Sequence, residues 1–361
     1  FTEEEREYLR VNRFWVDDNE DEIALLEREI NHNIQKRQKE LELTIALTNY
    51  CNFSCVYCYQ NKNEKLMTTE VANMIIEKID RILNDNIFEG INIHYFGGEP
   101  LLNIPVLIYL DENIKKITDK IGIVYKAFLT TNGSMLSKEL LQKVKFSSIQ
   151  LTFDGLEKTH DRLRVSDHFH FKEEIELIEN IMNFSQAKVL LRTNICKENK
   201  DEIIALHKYI FEKFGNERIE INPNRTIKYH QDDSFEMLSV QEYAEVAYQI
   251  KLLWSEQKGK FELPVPRSTP CKFPYGNAYA ISPEGYCTFC SGSMDQEKKY
   301  FFDVDIENKK MFSVRKECKK CNILPLCLGG CIIQYNLRAG ACTYEKYELK
   351  NILISYIKHI S

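Results

Sequence analysis

Between residues 43 and 257 short apolar runs alternate six times with longer amphipathic ones, and this alternation constrains the fold more than any other feature. The strand candidates are Leu43–Thr48, Ile91–Phe96, Val124–Thr130, Ser148–Phe153, Lys188–Thr193 and Arg218–Asn222. The helix candidates are Thr69–Asn84, Ile104–Lys120, Lys138–Lys143, Phe171–Phe184, Lys200–Lys213 and Val240–Gln257, with Ser239 and Glu242 spaced as a capping box at the last start. Parallel strands need long crossovers and buried faces, so six βα units predict an α/β fold with a parallel sheet covered by helices.

Sheets of this kind place their chemistry in the loops at the carboxyl ends of the strands. Those loops hold Cys51, Cys55 and Cys58 after the first strand, Gly97-Gly98-Glu99-Pro100 after the second and Thr131-Asn132-Gly133 after the third. Asp154-Gly155 follows the fourth, Thr193-Asn194 the fifth and Asn222-Pro223-Asn224 the sixth. Glycine, asparagine and small polar residues form ordinary turns, so the signal is their gathering on one rim rather than any one loop.

A chain of 361 residues with 43% hydrophobic and 11% aromatic content can bury a large core, and roughly two to three domains are expected. A net charge of −6 gives no broad basic field for nucleic acid, and no apolar run reaches the roughly 18 residues of a membrane span. The amino end is acidic and lacks an apolar signal region, so the cytoplasm is the expected compartment. Phe1 is not Met, and a native start upstream is expected. In a reducing compartment twelve cysteines are better explained by metal than by disulfides. Three form one knot, Cys196 stands alone, and eight crowd the last 91 residues.

Residues 1–42 read as a charged helical segment with a stripe of Ile23, Leu25, Leu26 and Ile30, packed on the next domain as a solvated helix; holding a partner peptide is the alternative. Pro264, Pro266 and Pro270 mark a boundary before the cysteine-rich end. The expected division is therefore 1–42, 43–262 and 263–361, with no solenoid repeat and no low-complexity stretch.

Cys51-x3-Cys55-x2-Cys58 supplies three thiolates from one loop, and soft thiolates select zinc or iron–sulfur iron. Three ligands are one short of four. A cluster held this way keeps one iron open for an external ligand; the bland alternative is half a zinc site completed elsewhere.

Cys51-Asn-Phe-Ser-Cys55-Val-Tyr57-Cys58, followed by Phe96-Gly97-Gly98-Glu99-Pro100, resembles the radical S-adenosylmethionine (SAM) superfamily over roughly residues 43–260. The resemblance implies a partial (β/α)6 barrel in which the amino and carboxylate groups of SAM chelate the open iron of a [4Fe–4S] cluster. Reductive cleavage of the C5′–S bond then gives a 5′-deoxyadenosyl radical that abstracts a substrate hydrogen. On that resemblance Gly97, Gly98 and Glu99 would receive the SAM amino group and Tyr57 would sit against the adenine. Thr131, Asn132, Thr152, Asp154 and Asn194 would bind ribose or the methionine carboxylate. Arg164 and Arg192 could pair with that carboxylate, a structural ion pair being the alternative for each. Relatives often carry Ser where this chain has Thr152, and the hydroxyl is kept.

Cys318-x2-Cys321-x5-Cys327-x3-Cys331, with Cys271 and Cys290 before it and Cys342 after it, is similar to the SPASM extension of radical SAM enzymes. That likeness implies two auxiliary [4Fe–4S] clusters, three in all. Cys318, Cys321, Cys327 and Cys342 would hold the outer one, and Cys271, Cys290 and Cys331 the inner one. The inner set lacks a fourth thiol: either Cys287 completes it or its iron is open to a substrate thiolate. A pair of zinc knuckles is the alternative for the whole array. Cys196 is expected to be structural, His168 and His170 a satisfied or exposed pair, and His94 ambiguous.

Enzymes with this extension mostly modify peptides. The resemblance therefore implies a maturase that crosslinks a ribosomally made precursor peptide through a thioether or a carbon–carbon bond, with flavodoxin or ferredoxin as electron donor. Neither nucleic acid nor membrane is an expected partner. An anaerobic sulfatase-maturating enzyme that forms formylglycine shares the motifs. Two readings of other classes are a non-catalytic iron–sulfur electron carrier and a zinc-bound structural protein.

Overall fold

The computed structural model describes residues 2–11, 19–85, 88–215, 217–229, 234–259, 265–275, 277–288, 290–293, 299–304, 311–331 and 342–360. Pro264, one of the three boundary prolines, lies outside them.

Two helices open the chain, α1 (Glu3–Val11) and α2 (Glu22–Arg37). Six βα units follow in the expected order. Their strands are β1 (Glu40–Ala46), β2 (Gly90–Phe96), β3 (Val124–Thr130), β4 (Phe146–Thr152), β5 (Lys188–Ile195) and β6 (Ile219–Arg225). Their helices are α3 (Thr69–Asp85), α4 (Ile104–Ile121), α5 (Lys138–Lys143), α6 (Glu157–Leu163), α7 (Phe171–Phe184), α8 (Ile203–Phe214) and α9 (Val240–Lys258). Ser239 and Glu242 form the expected capping box on α9, each side chain bonded to the other's backbone N–H.

Neighbouring strands among β1–β6 pair in parallel in sequence order, the topology of a partial barrel. The sheet does not stop there. A strand β7 (Ala278–Ile281) adds in parallel to the outer edge of β1, and β8 (Tyr286–Thr288) and β9 (Lys299–Tyr300) continue it antiparallel. The cysteine-rich end thus shares one nine-stranded sheet with the barrel, in the order β6-β5-β4-β3-β2-β1-β7-β8-β9.

Alternation along the strands separates two faces. Leu41, Leu43, Ile45, Ile91, Ile93, Tyr95, Ile149, Leu151, Val189 and Leu191 are buried in the main core, which the helices complete with residues such as Ile75, Ile79, Leu107, Ile114, Ile178 and Ile210. The opposite row, including His94, Gln150, Arg192, Asn222 and Asn224, is half-buried and polar, and faces the barrel interior.

The amino-terminal segment is more than a solvated helix. Ile30 and Ile34 of α2 share a small core with Phe312, Val314, Leu324 and Leu328 of the cysteine-rich end. Asn31 clamps that contact, donating from Nδ2 to the Phe312 carbonyl at 2.9 Å and accepting the Phe312 N–H at 2.8 Å. A short helix α10 (Lys272–Tyr275) and a one-turn helix α11 (Leu324–Cys327) punctuate this region, and α12 (Glu345–Ile360) closes the chain against α9. Among the described residues no helix is long and apolar enough to cross a membrane.

Candidate active site

The rim is built by two loops that interlock. After β1 the chain turns through Thr48–Tyr50 into the cysteine knot, and the loop after β2 lies directly on it. Gly98 N–H donates to the Thr48 carbonyl at 2.8 Å, and Glu99 N–H to the Tyr50 carbonyl at 2.9 Å. The approach leaves no room for side chains. A Cβ on Gly97, whose φ is +137°, would stand 2.3 Å from the Thr48 oxygen, and one on Gly98 would stand 2.1 Å from the Tyr50 oxygen.

Glu99 anchors the next loop as well. Its side chain is wholly buried, and it accepts from Leu101 N–H at 3.0 Å, the Thr131 hydroxyl at 2.6 Å and Asn132 N–H at 2.6 Å. Burial pushes its carboxyl up to about 7 despite those donors. Asn132 in turn reaches the knot, donating from Nδ2 to Asn52 at 2.8 Å and more distantly to Cys51 Sγ at 3.8 Å. The three loops carrying Cys51, Glu99 and Thr131-Asn132 are therefore one hydrogen-bonded unit.

The far side of the knot is held by the segment that follows α6. Ser54 N–H and Val56 N–H, on either side of Cys55, donate to the carbonyls of Val165 and Leu163 at 2.8 and 3.0 Å. Between these two acceptors is Arg164, 6% exposed, its guanidinium 5.4 Å over the Phe53 ring. Asp154, wholly buried at the end of β4, accepts the Tyr57 hydroxyl on Oδ2 and Asn194 N–H on Oδ1 at 2.6 Å. The Tyr57 ring meets Phe235 edge-on, with centroids 6.5 Å apart. Arg192 points inward from β5 and donates from Nε to Asn194 Oδ1 at 2.9 Å. Thr152 is buried at the end of β4, its backbone N–H 3.3 Å from Glu174 Oε1.

Cys51, Gly97, Gly98, Glu99, Thr131 and Asn132 thus share one side of this rim and Tyr57, Asp154, Arg164, Arg192 and Asn194 the other, and three residues that were not named support it. Glu174 of α7 and His160 of α6 are buried behind Arg164 and Asp154, and Asn199 donates to the Asp154 and Asn194 carbonyls at 2.9 and 2.8 Å. Glu174 had a visible signal: it sits on the apolar stripe of its helix with Phe171, Ile175, Ile178 and Ile181, where a carboxylate needs a partner. Cys196 is structural as expected, buried with Leu163 and Phe235 and 3.6 Å from Asn199 Oδ1. His94 bonds Thr130 Oγ1 at 2.8 Å; His168 is exposed, and His170 lies 3.9 Å from Asp161.

At the cysteine-rich end Cys318, Cys321, Cys327 and Cys342 line one cavity of about 380 Å³, with Lys320 and Lys346 beside them. Cys271, Cys290 and Cys331 form a second group: burial raises the pKa of Cys271 and of Cys290, and the neighbouring thiols of the group add to it. Gly292 N–H donates to Cys290 Sγ at 3.3 Å. Cys287 goes elsewhere: paired with Ile281 and 4% exposed, it is part of the main hydrophobic core, with its Sγ 3.8 Å from the Thr288 carbonyl.

The donor chemistry fits thiolate-held iron. No disulfide links any of the twelve cysteines, and burial pushes the thiol of Cys51 up and that of Cys55 up to about 11. Phe53 N–H already donates to Cys51 Sγ at 3.4 Å. Among the described residues no group of three or more Cys, His, Asp or Glu side chains is placed to hold a metal ion.

Comparison with known proteins agrees with this geometry. The chain is 24% identical over 372 residues to the radical SAM cyclopropyl synthase TigE of Paramaledivibacter caminithermalis, covering 90% of this chain and 76% of TigE. It is 31% identical over 186 residues to the GTP 3′,8-cyclase of Helicobacter pylori, of which it spans about half, 53%. Another curated relative, MJ0907 of Methanocaldococcus jannaschii, is 34% identical, and the chain spans 39% of its length. Among solved structures, anSMEcpe with bound AdoMet and Cp18Cys peptide superposes with a TM-score of 0.69 at 19% identity, over 89% of this chain and 98% of that one. Streptococcus suis SuiB bound to precursor peptide SuiA superposes with a TM-score of 0.59 at 17% identity, over 92% and 84%. Residues 45–210, from the end of β1 into α8 and so including the knot, the glycine loop and Arg164, match the radical SAM superfamily, and the chain carries a radical SAM domain.

Proposed function

We propose that this protein is a radical SAM peptide maturase, which uses SAM to abstract hydrogen from a ribosomally made precursor peptide and closes an oxidative crosslink. The observation that carries the reading is that one chain, whose sheet runs from the barrel into the cysteine-rich end, carries two thiol arrays: a three-cysteine knot locked to a glycine loop, and a four-cysteine cavity. An electron left on a product radical needs an acceptor, and a second thiolate-held cluster could supply one.

In this reading Cys51, Cys55 and Cys58 hold a [4Fe–4S] cluster that supplies one-electron reduction of SAM. The tight Gly97-Gly98 backbone and buried Glu99 shape the place for the SAM amino group, and Arg164 and Arg192 offer cations for its carboxylate. Tyr57 is pinned by Asp154 beside the adenine position, and Thr131, Asn132, Thr152 and Asn194 complete the rim. Cys318, Cys321, Cys327 and Cys342 hold an outer auxiliary cluster, and Cys271, Cys290 and Cys331 an inner one, as in SPASM extensions. Cys287 lies in the main core, and without it the three remaining thiols would leave the inner cluster a position for a substrate sulfur.

A peptide substrate is supported by the folds shared with anSMEcpe and SuiB, each solved with a peptide, and by the polar row from Gln150 to Asn224 inside the barrel, suited to amide recognition. The donor is a low-potential protein of the flavodoxin or ferredoxin type, and the setting is cytoplasmic. Co-expression with a short peptide encoded beside its gene, followed by mass spectrometry, tests the reading. Loss of two hydrogens on one peptide supports a crosslink; an aldehyde trapped by a hydrazide on a Cys or Ser supports formylglycine formation instead.

A further inference from the structure

Arg164 is buried in a way no surface ion pair requires. It occupies the one position between Leu163 and Val165, whose carbonyls grip the backbone on both sides of Cys55. That pairing places Arg164 across from Cys55 in the backbone, and its guanidinium lies over the ring of Phe53. Its Nε has no hydrogen-bond partner and lies 3.9 Å from Glu174 Oε2. Glu174 is itself wholly buried, with Oε2 3.1 Å from His160 Nε2 but without hydrogen-bond geometry. A desolvated cation beside the segment that carries Cys55 acts through a low local dielectric, where a charge is felt far more strongly than in water.

We infer that Arg164 is the built-in counter-charge of the Cys51/Cys55/Cys58 centre and that Glu174 is the positioning residue that holds it and offsets part of its field. The inference rests on the reading that this knot holds a [4Fe–4S] cluster. Reduction takes the [4Fe–4S]2+ core to [4Fe–4S]+ with one electron from a low-potential flavodoxin-type donor or dithionite, and so adds negative charge to an already anionic centre. A fixed guanidinium favours the reduced form, and a carboxylate behind it works against that. The geometry supports the assignment: the backbone hydrogen bonds Ser54–Val165 and Val56–Leu163 bracket Cys55 on one segment and Arg164 on the other. Arg192 differs: its Nε is bonded to Asn194.

The test is a potentiometric titration of the full, reconstituted chain without SAM, followed by electron paramagnetic resonance of the signal that changes when SAM is added. SAM affinity is measured alongside by equilibrium dialysis. Arg164→Gln is expected to lower the potential and Glu174→Gln to raise it, with Arg164→Lys near wild type and Arg192→Gln unmoved. An Arg164→Gln potential equal to wild type, with SAM affinity alone reduced, overturns the inference and leaves Arg164 as a carboxylate partner. If Arg164→Gln does not take up iron, Glu174→Gln decides: an unmoved or lowered potential overturns the inference. A wild-type protein with no SAM-responsive signal instead contradicts the cluster reading beneath it.

Discussion

The Gly98 amide donates to Thr48, and the absent side chain of Gly98 leaves only 2.1 Å between its would-be Cβ and the carbonyl oxygen of Tyr50. That contact joins the glycine loop to the cysteine knot with backbone against backbone, which a flexible side chain could not relax. Gly98→Ala is therefore expected to push the two loops apart, at a cost of about 1–3 kcal/mol for overpacking. The check is chemical denaturation together with SAM binding; a variant with wild-type stability and SAM affinity would show that the loops are not locked.

Cys287→Ala is expected to leave the iron content of reconstituted protein unchanged, because its side chain lies in the main core rather than with Cys271, Cys290 and Cys331. It is expected to lose about 1 kcal/mol of stability, as for a small buried truncation. Cys290→Ala is expected to lose iron. Equal losses in the two variants would return Cys287 to the ligand set.

His207 gives the fold an acid limit. Its Nδ1 accepts Trp254 Nε1–H at 3.0 Å and its Nε2 meets Thr193 Oγ1 at 3.2 Å, while burial pushes its pKa down to about 3. The unfolded chain binds a proton near pH 6.5 that the folded chain refuses. Stability is thus complete above about 6.5 and falls as pH drops toward 3, by up to about 1.4 kcal/mol per unit. Denaturation at pH 7 and pH 5.5 should show a smaller acid loss for His207→Gln than for wild type; equal losses would assign the effect to other groups.

Asn31→Ala removes both hydrogen bonds that join α2 to Phe312. Leaving these backbone groups unpaired costs about 1–3 kcal/mol. Hydrogen exchange should quicken at residues 311–315 and stay unchanged in β2–β4. Uniform exchange across both regions would mean that α2 does not brace the cysteine-rich end.

The barrel was legible because its signals are local. Val124–Thr130, Lys138–Lys143 and Phe171–Phe184 have the bounds that periodicity set, and glycines and amides fell on one rim because parallel strands put all their carboxyl ends together. Errors arose where polarity hid pairing. The first strand begins at Glu40 rather than Leu43, since Glu40 and Glu42 alternate with core residues and pair with Gly90 and Asn92. Helix α6 was passed over because Glu157–Leu163 is short and charged. Strands β7–β9 were missed for another reason: runs of two to four residues carry no period, and they form only because β1 offers an open edge. In the site, the three knot cysteines could be named from their spacing, and Glu99 and the C-terminal thiol sets from the resemblance to radical SAM enzymes. The buried Arg164–Glu174 relationship needed the third dimension, because Glu174 is ten residues away on another helix.

Whether the knot cleaves SAM is read by incubating anaerobically reconstituted protein with SAM and dithionite and quantifying 5′-deoxyadenosine by chromatography. Wild type is expected to give 5′-deoxyadenosine, and a variant with Cys51, Cys55 and Cys58 all changed to Ala none. Iron-loaded wild-type protein that yields none, or a triple variant that yields as much as wild type, would contradict cleavage of SAM at the knot.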